Sequence, residues 1–217
     1  INIRDIASVD KNTSKVELSR LSSSMAYLTF NTAKTDSPIS NKKVRQAIAH
    51  AINRTDIMWD VFGGDVEVAS APLPSFNKYD GINEPAPYEH SVDKAKRLLK
   101  EAGYTKEIKL KLMYFSEPRP YMQDAESTVQ MIKQQLKDIN IDLQLIKEEK
   151  SLHLDRCMKG DYEIGLTGWN ADTHSPMNFL EVFFHSKNKD GGFNLSKYEN
   201  KDVDRDLDSA TTAGRSA

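Results

Sequence analysis

Cysteine is almost missing from this sequence: Cys157 is the only one in 217 residues. A disulfide framework is therefore excluded, as is a zinc site built from several thiols. Long apolar runs are missing too, and no stretch approaches the roughly 20 residues needed to cross a bilayer as a helix. An excess of one charge is missing. Thirty Lys and Arg face 32 Asp and Glu, a formal net charge of −2, so there is no electrostatic footprint for nucleic acid or an anionic membrane. No nucleic-acid partner is expected. The glycine-x-serine-x-glycine elbow, the phosphate loop and the His-Glu-x-x-His pattern are all absent, and the sequence reads as a non-enzyme. His50, His90, His153, His174 and His185 are scattered without metal-ligand spacing, so neither a metal site nor a cofactor is expected. The chain opens at Ile1 with no initiator Met and no signal peptide. That terminus reads as processed or excised, so a missing targeting signal says little about location.

What is present is an alternation of strand and helix patterns. Met25–Thr32 is rich in β-formers. Val44, Ala47, Ile48, Ala51 and Ile52 recur at helical spacing behind Asn41, and Asn53 opens a second helix, Arg54–Phe62, that stops at Gly63-Gly64. Residues 65–90 hold Pro72, Pro74, Pro85 and Pro87 in a long irregular segment, a length that usually accompanies function or surface packing. Ser91 caps Val92–Ala102, and Gly103 ends it. Ile108, Leu110, Leu112 and Tyr114 then alternate with Lys109, Lys111, Met113 and Phe115, a strand whose Met113, Tyr114 and Phe115 are expected in the core. Ala125, Val129, Ile132 and Leu136 mark a helix, and Ile141, Leu143 and Leu145 another strand. Glu148-Glu149-Lys150 reads as a solvated turn. Leu152–Met158 is helix-like, with Cys157 as a small buried hydrophobe and no evident base beside it. Tyr162, Ile164 and Leu166 begin a strand over 162–167.

Strand, helix, strand, helix, strand from residue 108 onward implies parallel strands joined by right-handed crossovers. The fold class is α/β, a largely parallel sheet flanked by helices. The stretch Gly168-Trp169-Asn170-Ala171-Asp172 follows the last strand, and Ser175-Pro176 leads into a short helix with Ser as N-cap. Asp172 thus belongs on a loop at the carboxyl end of a strand, where open α/β sheets bind ligands. Arg119 follows the carboxyl end of strand 108–115. If the two strands are parallel, a guanidinium and a carboxylate share one rim, which matches a zwitterion. Arg119 would take a carboxylate through its fork and Asp172 an ammonium, each contact contributing roughly 1.5–3 kcal/mol when shielded from water. The plainer alternative is that the two pair with each other or cap local backbone. Trp169 has two readings as well, stacking on a ligand or plugging the core beneath the loop.

Gly168-Trp169-Asn170-Ala171-Asp172, Ser175-Pro176 and Asn178-Phe179-Leu180 resemble the glycine-tryptophan-x-x-aspartate…aspartate-proline-x-asparagine-phenylalanine motif of dipeptide- and oligopeptide-binding proteins. These are the extracytoplasmic receptors of ABC importers. Ala26–Thr32, Asn41–Ile48, Ala51–Arg54, Asp93–Tyr104 and Arg119-Pro120-Tyr121 resemble the same family in the same order. The resemblance implies a periplasmic-binding-protein-like lobe with Asp172 on the peptide's ammonium and Arg119 on its carboxylate, and Trp169, Tyr121 and His174 lining the site. It implies a short peptide ligand, a membrane permease as partner, and a periplasmic or cell-surface lipoprotein location. It also implies that residues 1–23 are a remnant of a preceding lobe, that 24–217 form a carboxy-proximal lobe cut short at its end, and that the N-terminal lobe of the same protein is a missing partner. Ser175 replaces the family's aspartate, and His185 stands where some members have a disulfide cysteine. Those departures leave open a nickel chelate, haem or an antimicrobial peptide as the ligand instead.

Overall fold

The computed structural model describes residues 23–74, 88–173 and 175–214. Four strands form one sheet: β1 (Ser24–Phe30), β2 (Ile108–Phe115), β3 (Ile141–Glu148) and β4 (Ile164–Asn170), in the spatial order β1-β4-β2-β3. β2 is parallel to both β3 and β4, as the alternation of elements requires. β1 closes the edge antiparallel to β4, with Ser24 opposite Asn170 and Phe30 opposite Ile164. β4 runs to Asn170, three residues beyond the expected Thr167, because β1 supplies a partner along its whole length.

The helices are α1 (Lys42–Ala51), α2 (Arg54–Phe62), α3 (Val92–Glu101), α4 (Ala125–Lys137), α5 (Lys150–Lys159), α6 (Met177–Phe184) and α7 (Lys201–Gly214). Their starts follow local chemistry. The Asn41 side chain accepts the Lys43 N–H at 2.9 Å, Asn53 accepts those of Thr55 and Asp56, and Ser91 accepts that of Lys94, satisfying donors that a helix cannot satisfy itself. Gly63 ends α2 at φ +63°, a left-handed conformation that costs glycine nothing.

The chain steps from β2 to β3 through α4, then back past β2 to β4 through α5. Reversing direction while keeping the same hand forces the two helices onto opposite faces. On one face Ile108, Leu110, Leu112, Ile164 and Leu166 meet the apolar stripes of α1, α3 and α4, including Ile48, Leu99, Val129 and Leu136. On the other, Met113 meets Cys157 of α5, and Met25 meets Phe179 and Phe183 of α6. Met113, Tyr114 and Phe115 are all buried, as the pattern suggests.

Two local expectations change. Glu148 is not in a solvated turn. It ends β3 with its side chain 8% exposed and paired to Arg156, while Lys150 already lies in α5. The pairing joins the end of β3 to a residue of α5 eight positions further along the chain. Cys157 is fully buried as expected, but it does have a base nearby: His153, one helical turn earlier, with Nε2 at 3.7 Å from Sγ. Burial pushes the thiol up to about 12 and, together with the Arg156 charge, pulls the imidazole down to about 4, so the two sit as neutral core groups.

Candidate ligand-binding site

β2 and β4 are neighbours, yet they pair only at Leu112–Ile164 and Met113–Gly165. Beyond those residues the strands part. The chain leaving β2 goes to α4 on one face, and the chain leaving β4 goes to α6 on the other. This is the topological switch point of the sheet, the place at the carboxyl ends of the strands where open α/β folds bind ligands.

Residues 116–124 leave β2 in a tight reversal. The N–H of Arg119 donates to the Met122 carbonyl at 2.9 Å, and Met122 returns the bond at 3.0 Å. Pro120 and Tyr121 lie at its tip, and Met122 anchors it in the core. The Tyr121 ring covers Gly168 of β4. A Cβ at that position would lie 2.3 Å from Tyr121 Cδ2 and 2.6 Å from the Met25 carbonyl, so only glycine permits the approach. Burial raises the Tyr121 phenol, and the nearby Arg119 charge opposes the rise. Arg119 itself is half-buried, and its Nε is enclosed without a hydrogen-bond partner.

On the β4 side, Trp169 is half-buried, with edge-to-face contacts to Phe183 at 5.6 Å and Phe193 at 4.8 Å between ring centroids. Its Nε1–H donates to Asn178 Oδ1 at 3.1 Å, and the backbone N–H of Asp172 donates to the same oxygen at 3.1 Å. The start of the loop is thereby tied to α6. Its Asp172 carboxylate is exposed. Among the described residues, neither this carboxylate nor the Arg119 guanidinium makes a side-chain hydrogen bond or an ion pair. The alternative that the two simply pair with each other is not what the molecule adopts.

Other expectations shift. Ser175 is not the N-cap of α6: Pro176 occupies that position, and the Ser175 hydroxyl instead accepts the Met177 N–H at 3.3 Å. Trp169 does plug the aromatic cluster beneath the loop while keeping partial exposure. His174 lies outside the described residues. His185, which stands where some relatives have a disulfide cysteine, is turned toward α7, with Nε2 at 3.2 Å from Asp208 and Nδ1 accepting the Lys187 N–H. The roles of Asn178 and Gly168 were not legible beforehand. Both lay inside a quoted motif, but nothing in one dimension shows which atoms they meet.

The family model described as bacterial extracellular solute-binding proteins, family 5 Middle, matches residues 1–191. The chain belongs to this family. It is similar to the dipeptide-binding protein of Escherichia coli, 30% identical over 201 residues, covering 91% of this chain and 36% of that protein. It is also similar to haem-binding protein A of Haemophilus influenzae, 29% identical over 213 residues, covering 96% of this chain and 38% of that protein. Among solved structures it resembles the ABC transporter-associated periplasmic binding protein DppA of Helicobacter pylori in complex with the peptide STSA. There the TM-score is 0.80 at 26% identity, over 96% of this chain and 40% of that one. The chain thus spans well under half the length of these family 5 relatives. Its α/β sheet with helices on both faces is the architecture of one part of a periplasmic-binding-protein-like structure.

Proposed function

We propose that this chain is the carboxy-proximal ligand-binding lobe of an extracytoplasmic receptor that delivers short peptides to an ABC importer. Residues 1–23 would be the end of a preceding lobe and 24–217 the lobe itself, with the remaining lobe of the same protein closing over the ligand. In this reading Asp172 holds the peptide's ammonium and Arg119 its carboxylate, with Trp169 and Tyr121 lining the cleft. The observation that carries it is the pair of opposite charges on loops at one sheet edge, both without a side-chain hydrogen bond or ion pair among the described residues. A guanidinium whose Nε is enclosed and unsatisfied is costly unless something completes it, and a terminal carboxylate fits that fork. The peptide-binding relatives support the same ligand class. The receptor's site would be periplasmic or on the cell surface, and its other partner the membrane permease.

Isothermal titration of the complete receptor with dialanine tests the reading. Asp172→Asn and Arg119→Ala are each expected to weaken binding tenfold or more. Unchanged affinity in both variants refutes it. The haem-binding relative favours a second reading, a receptor of the same fold for a non-peptide ligand. Mass spectrometry of whatever co-purifies with the receptor separates the two.

A further inference from the structure

We infer that Asn178 is a positioning residue for the ligand's ammonium, acting through Asp172 rather than by touching the ligand. The inference rests on the reading of Asp172 as the ammonium holder. One carboxamide oxygen has two lone pairs, and both are used here: Trp169 Nε1 and the Asp172 backbone N–H each donate at 3.1 Å. Three elements meet at that atom. Trp169 is the penultimate residue of β4, Asp172 belongs to the loop, and Asn178 is the second residue of α6. α6 in turn is fixed to the sheet by the fully buried Phe179, the residue next in sequence. The packing of Phe179 and Phe183 against Met25 therefore sets where Asn178 stands, and Asn178 sets where the Asp172 backbone stands.

The consequence follows from how charge recognition depends on geometry. An exposed carboxylate on a short loop has many orientations, and fixing it beforehand lowers the entropy lost on binding. Tying the loop amide to a rigid helix supplies that fixing. It also holds the Trp169 indole edge-on to Phe183 and Phe193, so the aromatic wall and the acid move together. Removing Oδ1 leaves an indole N–H and a loop N–H without acceptors while sparing the packing of Phe179. The second position of a helix tolerates Ala well, so the change is specific to the two hydrogen bonds.

The test uses the complete receptor with two probes, dialanine and N-acetyl-dialanine, the second lacking the ammonium. Asn178→Ala is expected to weaken dialanine at least tenfold and N-acetyl-dialanine by less than twofold. Asn178→Asp keeps an acceptor oxygen at the same place and is expected to restore dialanine binding to within threefold. In ¹⁵N-labelled protein the Trp169 indole N–H resonance, assigned with Trp169→Phe, should move upfield in Asn178→Ala and stay in Asn178→Asp. Should Ala prevent folding, Asn178→Ser, whose hydroxyl is too short to reach both donors, is read in the same way. Equal weakening of both probes overturns the inference, because it marks a merely structural role. So does unchanged dialanine affinity in Asn178→Ala when Asp172→Asn is weakened. If Asp172→Asn itself leaves dialanine binding intact, the ammonium assignment has failed, and the role given to Asn178 falls with it.

Discussion

The ring of Tyr121 lies on Gly168, close enough that a single methyl group on that α-carbon would meet Cδ2 at 2.3 Å. These residues belong to different strand exits, and their contact closes the gap where β2 and β4 part. It brings the segment carrying Arg119 against the root of the loop carrying Asp172. Because the approach is to a backbone carbonyl as well as a ring, Gly168→Ala is expected to destabilise the complete receptor by about 1–3 kcal/mol. Tyr121→Ala in the same background should recover only part of the loss, since the Met25 carbonyl at 2.6 Å remains in the way. Urea unfolding midpoints of the single and double variants measure this.

Blocking the ligand's termini should divide the two charged residues. N-acetyl-dialanine cannot offer an ammonium, so Asp172→Asn should cost it almost nothing, while Arg119→Ala should still cost about tenfold, or roughly 1.4 kcal/mol. Dialanine amide should show the reverse. Calorimetric affinities for the four combinations form a cycle. Equal losses for every peptide would mean that the substitutions act on the lobe and not on the ligand's ends.

His153 should make stability depend on pH on the acid side. It is fully buried, and burial, aided by Arg156, lowers its imidazole to about 4 from an ordinary 6.5. The unfolded chain therefore binds the proton more readily. The contribution is complete above about 6.5 and is lost as pH falls toward 4, where the loss reaches about 3 kcal/mol. His153→Phe is expected to flatten the unfolding free energy of the complete receptor across pH 4–6.5, and an unchanged slope would contradict the assignment.

Cys157 should be silent in the native state. Its thiol is enclosed between Met113 and Tyr162 and pushed up to about 12 by burial, so almost none is thiolate at neutral pH. A thiol-reactive disulfide reagent at pH 8 is expected to label it only at the rate of opening and at once in denaturant. Rapid native labelling would show that the α5 face is not closed.

Removing Arg156 should leave a charge without its partner. Glu148 has a side chain 8% exposed that pairs with Arg156 and keeps Oε2 without another bond. Arg156→Met is expected to cost about 3 kcal/mol in the same unfolding assay, whereas substituting the exposed partner Asp161 should cost under 1 kcal/mol.

By itself the amino-acid order determined the elements and their class. Asn41, Asn53 and Ser91 cap their helices through bonds spanning two or three residues, and the 108–115 alternation is a period set by the backbone alone. Both are local, so both are legible in one dimension. The charges of Arg119 and Asp172 could be assigned to one sheet edge because strands joined through helices must run parallel. What only the tertiary structure decided were contacts between distant segments: β1 pairing along β4, Tyr121 on Gly168, Arg156 reaching Glu148, and Asn178 gathering Trp169 and Asp172. Each depends on where whole elements come to rest. That is set by the summed burial of many side chains on both faces of the sheet, and no short window of sequence contains the sum.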